Sequence, residues 1–447
     1  MGITIVQKSD LSRPKKRNAR VALVLAGGAI SGGAFKLGGL MALSHFLQNR
    51  RVTDFDIYVG LSAGAFLAAP LSAGIPPEEL MRSLTGESEK ITQFRPWDFY
   101  VPNYKEFVGK PAKLLKDAVA FGPQAAGVIW RYVARHSREL RALGRRFAEA
   151  PTTLNLERLL TPVIREVLRS SDLPHGFSYL PAGLFDNARI EKFIRKNLER
   201  NGLPNNFRLL HLDRGSSLYI SATNLNTAQG VVFGHDEDTS ATISEAVQAS
   251  TAIPGFFKPA RINGVDYLDA GVRKTANIST AVRKGADLVI AYNPFRPFAN
   301  FYAEGLLGGF RSIGDMGMVT VLNQAFRMLL HSRLRLGIEK LRLDNNFRGD
   351  VILIEPTETD SKFFEINPLD FWKRADAAEH GFMSTKESLE RHYPQLVRIF
   401  RAYDLDVSLD SMREAAAAIR TTEPDDDALL TLLEPRPVPN QPLRVVR

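Results

Sequence analysis

Apolar residues in this chain gather into short runs, the first two of which end on glycine-rich turns. Residues 21–25 (Val-Ala-Leu-Val-Leu) are wholly apolar, 55–59 largely so, and 288–292 and 351–354 repeat the pattern downstream. Short runs without polar alternation predict strands buried on both faces, which in a chain of this kind means a mostly parallel sheet. Further strands are expected at 218–222 and 231–233. Between the runs the period changes to that of a helix, at 35–48 and 188–199. A long helix is expected through Val319, Leu322, Phe326, Leu330, Leu334 and Ile338, with that stripe packed on the core and Arg327, Arg333 and Arg335 off it. Strands alternating with helices predict an α/β fold, and the spread of these motifs from residue 21 to beyond 350 predicts one large unit.

Two turns carry candidate chemistry. Gly60-Leu61-Ser62-Ala63-Gly64 follows the second apolar run and precedes a helix-compatible stretch, so it reads as a strand delivering a serine onto a sharp turn. Gly-x-Ser-x-Gly alone is also an ordinary connection, and its context gives it weight. The first run leads directly into Ala26-Gly27-Gly28-Ala29-Ile30-Ser31-Gly32-Gly33, whose main-chain N–H groups can converge on a negative atom before a helix N-terminus. The glycine spacing does not fit a dinucleotide fingerprint, and the Gly-Lys-Ser/Thr of a nucleotide-binding loop is absent. Far downstream, Asn263-Gly264 predicts a hairpin turn that leaves Asp269 at a strand end, followed by Ala270 and Gly271.

Composition narrows the classes. The chain has 447 residues, of which 44% are hydrophobic and 24% charged, so it can bury a large core. It has no cysteine, which excludes disulfides and thiolate metal sites, and no histidine-rich ligand pattern points to a metal. No cofactor is expected. No stretch is long and apolar enough to span a membrane, and residues 1–20 lack the apolar core of a secretory signal. The expectation is a cytoplasmic protein, soluble or held peripherally at a membrane. The 58 Lys and Arg exceed the 49 Asp and Glu, for a formal charge of +9. Part of that excess lies in 127–147, where Ile129, Val133, His136, Leu140, Leu143 and Phe147 mark one helical face and Arg131, Arg135, Arg138, Arg141 and Arg145 the rest. Such a basic amphipathic helix suits an anionic lipid surface or, equally, a solvated face on a core. No motif accompanies it that would indicate nucleic acid.

The two glycine turns and the aspartate, in this order and at these separations, resemble the patatin-like phospholipase family. The family pattern is a Gly-Gly-Gly-x-Arg-Gly loop, a Gly-x-Ser-x-Gly elbow and an Asp-Gly-Ala or Asp-Gly-Gly triplet. The likeness runs from about 21 to 356 and includes the run Ala249 to Phe257 and the segment Leu184-Phe185-Asp186-Asn187. It implies a three-layer sandwich with helices on both faces of the sheet and a helical cap. It implies Ser62 as nucleophile, Asp269 as base, and an oxyanion hole from the N–H groups of Gly27, Gly28 and Ala63, with Gly32 and Gly33 as further candidates. Gly60, Gly64, Ala270 and Gly271 complete the motifs. Ala29 stands where the family has its third loop glycine, Ser31 where it has arginine, Ala270 where the triplet has its first glycine, and one extra residue sits around Gly32-Gly33.

The implied organisation is a flexible basic arm over 1–20, a catalytic domain over 21–360 with a helical cap insertion at 91–183, a helical extension over 361–420, and a disordered acidic and proline-rich tail over 421–447. The implied activity is that of a lipid acyl hydrolase of phospholipase A type working through a Ser-Asp dyad at a membrane or droplet. Three alternatives stay open: a serine triad using His331, His380 or His392; a soluble carboxylesterase or thioesterase; and a catalytically silent lipid-binding or scaffold protein.

Overall fold

The computed structural model describes residues 2–10, 16, 18–150, 155, 158–163, 166, 180–301 and 312–421, with backbone alone for 111–126 and 420–421. The chain divides into two units, Met1–Val101 together with Phe185–Arg447, and Pro102–Leu184.

The larger unit is built on a nine-stranded sheet. Its strands are β1 (Ile3–Val6), β2 (Val21–Leu25), β3 (Ile57–Leu61), β4 (Ser217–Asn224), β5 (Gly230–Gly234), β6 (Ala260–Ile262), β7 (Val265–Asp269), β8 (Leu288–Tyr292) and β9 (Asp350–Ile354). They lie in the order β1-β9-β8-β2-β3-β4-β7-β6, with β5 also paired to β4. The central strands β9, β8, β2, β3 and β4 are parallel. The outer pairings, β1 on β9, β5 and β7 on β4, and β6 on β7, are antiparallel.

Every residue of β2, β3, β8 and β9 is buried, as their largely apolar sequences require, and the one charged member, Asp350, accepts hydrogen bonds from Lys8 and Ser9. Alternate side chains then feed two separate cores. Val21, Leu23, Leu25, Ile290 and Tyr292 point into one, while Ala22, Val24, Val289 and Ala291 point into the other. The first is covered by helices α1 (Ala29–Phe46), α2 (Ala63–Ser72), α3 (Ala188–Arg200), α4 (Ile243–Ser250) and α6 (Arg374–Arg391). The second is covered by the helix Ile278–Arg283 and the C-terminal half of α5 (Met318–Leu343). This is the expected three-layer arrangement with helices on both faces. Helices α1 and α6 cross at glycines, because a Cβ on Gly38 would lie 1.8 Å from the Ala378 carbonyl oxygen and one on Gly381 2.0 Å from that of Phe35.

Several boundaries differ from the sequence expectation, each for a packing reason. Residues 3–6 form an edge strand with Ile3 and Val6 buried, so the segment 1–20 begins inside the sheet. Residues 91–101 belong to the larger unit, where Ile91, Phe94 and Phe99 join its core. The segment 361–420 is helical, and α6 supplies Ala377, Ala378, Phe382 and Leu389 to the same core. Helix α1 starts at Ala29, so the stretch read as a loop through Gly33 is its first turn.

Helix α5 is buried as expected only at Leu334 and Ile338, with Leu341 buried one turn further on. Val319, Leu322 and Phe326 are exposed, the last at 61%. The buried residue at that level is Arg327, whose guanidinium donates to the Pro294 and Arg296 carbonyls and lies over the Phe363 and Phe364 rings. Residues 422–447 lie outside the described residues. In the smaller unit the basic segment 127–147 spans two helices, Tyr104–Arg135 and Ser137–Glu149, that break at His136. Its six arginines are exposed, and no side chain of the second helix is fully buried.

Candidate active site

Strand pairing brings Ser62 and Asp269 together. Residues 57–61 of β3 pair with 217–221 of β4, ending at Leu61 opposite Ser221. The next residues of β4, Ala222 to Asn224, pair with Asp269 to Tyr267 of β7. Ala222 also pairs with Val231 of β5, which occupies its other edge, so β3 and β7 share one edge of β4 and meet head to head. The gap between them is where Ser62 leaves β3 and Asp269 ends β7.

The turn at Ser62 is shaped by its glycines. Ser62 has φ 54° and ψ −128°, a conformation rare outside glycine, which puts it at the apex between β3 and α2. A Cβ on Gly60 would sit 2.5 Å from the Ala65 Cα, and one on Gly64 2.0 Å from the Leu25 carbonyl oxygen. Gly28, with φ 151°, would bring a Cβ within 2.8 Å of Pro294 and 2.9 Å of the Gly32 Cα. The backbone spacing of both turns therefore requires glycine at these positions. The hairpin before Asp269 turns at Asn263 and Gly264, both with positive φ, as the Asn-Gly pair predicts.

The Ser62 hydroxyl lies near enough to the Asp269 carboxylate to favour its ionised form through hydrogen bonding, and Asp269 Oδ1 accepts the Gly271 N–H at 2.7 Å. Ser62 is 3% exposed and Asp269 6%. Burial pushes the Asp269 carboxyl up to about 6, against the opposing pull of those hydrogen bonds and of the Lys36 ammonium. A base of that strength is better matched to an alcohol than an exposed carboxylate is.

Among the described residues, the N–H groups of Gly27, Gly28 and Ala63 have no hydrogen-bond partner. The N–H groups of Ile30 and Ser31 are bound by the Pro368 carbonyl. Gly32 donates its N–H to the Gly28 carbonyl at 2.9 Å, closing the first turn of α1, and Gly33 lies inside the helix. These two are thereby removed as oxyanion donors. Gly33 instead lines, with Ser62 and Ala63, an apolar slot walled by Leu37, Phe66, Leu67, Phe94, Ile190 and Phe371.

Two residues of the site escaped the reading of the sequence. Ser250, at the end of α4, accepts the Ser62 main-chain N–H at 2.8 Å. Lys36 is 0% exposed in α1, between buried Phe35 and Leu37, and donates to the Ala26 carbonyl and, at 2.7 Å, to that of Gly27. A lone lysine in an otherwise apolar helix was the available clue.

The three histidines considered as triad members are engaged elsewhere. His380 binds Asp360 at 2.8 Å, His331 faces Glu355 at 3.6 Å, and His392 contacts the Ser388 carbonyl. Among the described residues no histidine hydrogen-bonds to Ser62 or Asp269.

A family model described as patatin-like phospholipase matches residues 23–282. No curated protein matches the chain. Among solved structures, VipD from Legionella pneumophila is similar at 17% identity, covering 85% of this chain and 68% of its own, with a TM-score of 0.33. The complex of SpcU with ExoU from the type III secretion system of Pseudomonas aeruginosa is similar at 15% identity, over 97% of this chain and 72% of that one, with a TM-score of 0.26.

Proposed function

This chain belongs to the patatin-like phospholipase family, a family of lipid acyl hydrolases, and we propose that it cleaves carboxylic esters of lipids through a Ser62–Asp269 dyad. The observation that carries this reading is the juxtaposition of buried Ser62 and Asp269 at the meeting ends of β3 and β7, beside an apolar slot and three unpartnered main-chain donors.

Asp269 takes the Ser62 proton as Oγ attacks the ester carbonyl. The carbonyl oxygen becomes an oxyanion held by the N–H groups of Gly27, Gly28 and Ala63. The intermediate collapses, the C–O bond to the leaving alcohol breaks, and the Asp269 proton passes to that alcohol. Water, deprotonated by Asp269, then releases the acyl group and restores Ser62. With no imidazole in the dyad, most of the barrier reduction falls to the preorganised donors, each worth about 2.7 to 4 kcal/mol.

A lipid surface is the proposed setting. Helix α3 presents Ile190 and Phe193 inward, where Phe193 stacks on the slot residue Phe66. Its outer side carries Arg189, Lys192 and Lys196, which with Arg95 line a groove holding one carboxylate, Asp98. Trp97, two residues from Arg95, is 69% exposed, and so is Trp372, whose ring stacks on Tyr100. Basic residues with exposed tryptophans suit the interface of an anionic membrane. The arginine-rich helices of the 102–184 unit suit an anionic lipid surface in their own right.

Incubating wild type and Ser62→Ala with a mixed lipid panel, with products identified by mass, tests this reading. Loss of ester cleavage in Ser62→Ala supports it, and equal product formation by both proteins removes it.

A further inference from the structure

We propose that Lys36 is the positioning residue of the oxyanion hole, a buried cation that aims and polarises the N–H groups of Gly27 and Gly28 from behind.

A peptide unit is planar, so the carbonyl of one residue and the N–H of the next point in opposite directions along one rigid dipole. The Ala26 carbonyl shares its unit with the Gly27 N–H, and the Gly27 carbonyl shares its unit with the Gly28 N–H. Lys36 Nζ donates to both of these carbonyls, with the Gly27 contact at 2.7 Å. One ammonium thus holds the rear ends of the two peptide units whose front ends are the unpartnered donors beside Ser62. Glycine gives this segment great freedom, as the φ of 151° at Gly28 illustrates, and without a fixed partner the two N–H groups would not hold one direction. A charged donor also strengthens the hydrogen bonding at the far end of each unit, and does so most in a site closed to water.

A neutral side chain would suffice if filling space were the only task at position 36. Burying an ammonium among Phe35, Leu37 and Leu40 is costly, and the burial pulls Lys36 down to about 7 against the pull of Asp269. The loop itself supplies no cation, because Ser31 stands where the family pattern has arginine and its N–H is bound by Pro368. Lys36 reaches the same loop from one turn further along α1. The mechanism above assigns this lysine no proton transfer, and its two carbonyl contacts explain its place.

The inference rests on the Ser62–Asp269 reading, and the test separates the two. Wild type, Ser62→Ala and Lys36→Met are compared on a short-chain p-nitrophenyl ester, together with inhibition by a trifluoromethyl ketone, whose adduct with a serine carries an oxyanion. Lys36→Met is expected to lose about 100-fold or more in kcat, with KM within threefold and ketone affinity reduced in parallel. Removing the cation also takes away one influence that holds the Asp269 carboxyl down, so the acid limb of the rate profile moves to higher pH. A folded Lys36→Met with kcat and ketone affinity within threefold of wild type overturns the role of Lys36, while an active Ser62→Ala overturns the dyad instead. If Lys36→Met does not fold, NMR of wild type labelled with 15N at lysine Nζ decides. A solvent-protected ammonium that shifts on adding the ketone supports the proposal, and a neutral amine or an unmoved resonance overturns it.

Discussion

Ser250 Oγ accepts the main-chain N–H of Ser62 at 2.8 Å, and two residues later the Ala252 carbonyl accepts the N–H of Asp269 at 2.9 Å. One short segment at the end of α4 therefore fixes the backbone of both members of the proposed dyad. Ser250 is fully buried, so replacing it leaves the Ser62 N–H without a partner. Ser250→Ala is expected to lower stability by about 1 to 3 kcal/mol. It should also reduce kcat more than it raises KM, because the elbow loses its alignment. Thermal unfolding and steady-state kinetics on the same preparation check both parts. Unchanged melting and unchanged kcat would show that the bond does not matter.

The raised Asp269 carboxyl sets a pH dependence. Asp269 works as a base only when deprotonated, and burial holds it up to about 6. The kcat/KM of the free enzyme is expected to fall as pH drops through about 6, well above the ~4 of an exposed aspartate. A profile flat down to about pH 4.5 would show a base of ordinary acidity.

The glycines of the site separate into two kinds. Gly64→Ala forces a Cβ to within 2.0 Å of the Leu25 carbonyl oxygen, a backbone atom that cannot swing away. It is expected to destabilise the protein by about 1 to 3 kcal/mol or more and to abolish turnover. Gly33→Ala meets only the Ala63 Cβ at 3.4 Å. Within a helix that exchange favours folding by up to about 1 kcal/mol, while the added methyl narrows the slot. The melting temperature should hold or rise, and KM should increase more for long acyl chains than for short ones.

Much of this arrangement was legible in the sequence, and the limits of that legibility are physical. Strands 288–292 and 351–354 were readable because buried parallel strands are apolar throughout, and the Asn263-Gly264 turn because both of its positions need positive φ. Ser62 and Asp269 were readable because each ends a strand beside glycines. Ser250 was not, since its role depends on a contact across 188 positions. The α5 stripe misled because an amphipathic pattern records which residues are apolar and not which side is covered. Arg327 took the inner position by binding carbonyls, and Phe326 was left outside.

The basic groove and exposed tryptophans carry an expectation of their own. Lys192→Glu with Lys196→Glu reverses two charges on an exposed face, where folding is little affected. Co-sedimentation with anionic vesicles should weaken by about 30-fold or more and become less sensitive to salt, since each surface cation contributes about 1 kcal/mol. Hydrolysis of a dispersed short-chain ester should stay within twofold of wild type. Equal vesicle binding by variant and wild type would remove the groove from membrane contact.

The dyad itself is tested most directly by the rate at which a fluorophosphonate probe labels wild type, Ser62→Ala and Asp269→Asn, with the labelled residue located by peptide mass. The account predicts rapid labelling of wild type at Ser62, none in Ser62→Ala, and labelling slowed at least 100-fold in a folded Asp269→Asn. Labelling at another residue, or an Asp269→Asn variant that reacts as fast as wild type, would contradict it.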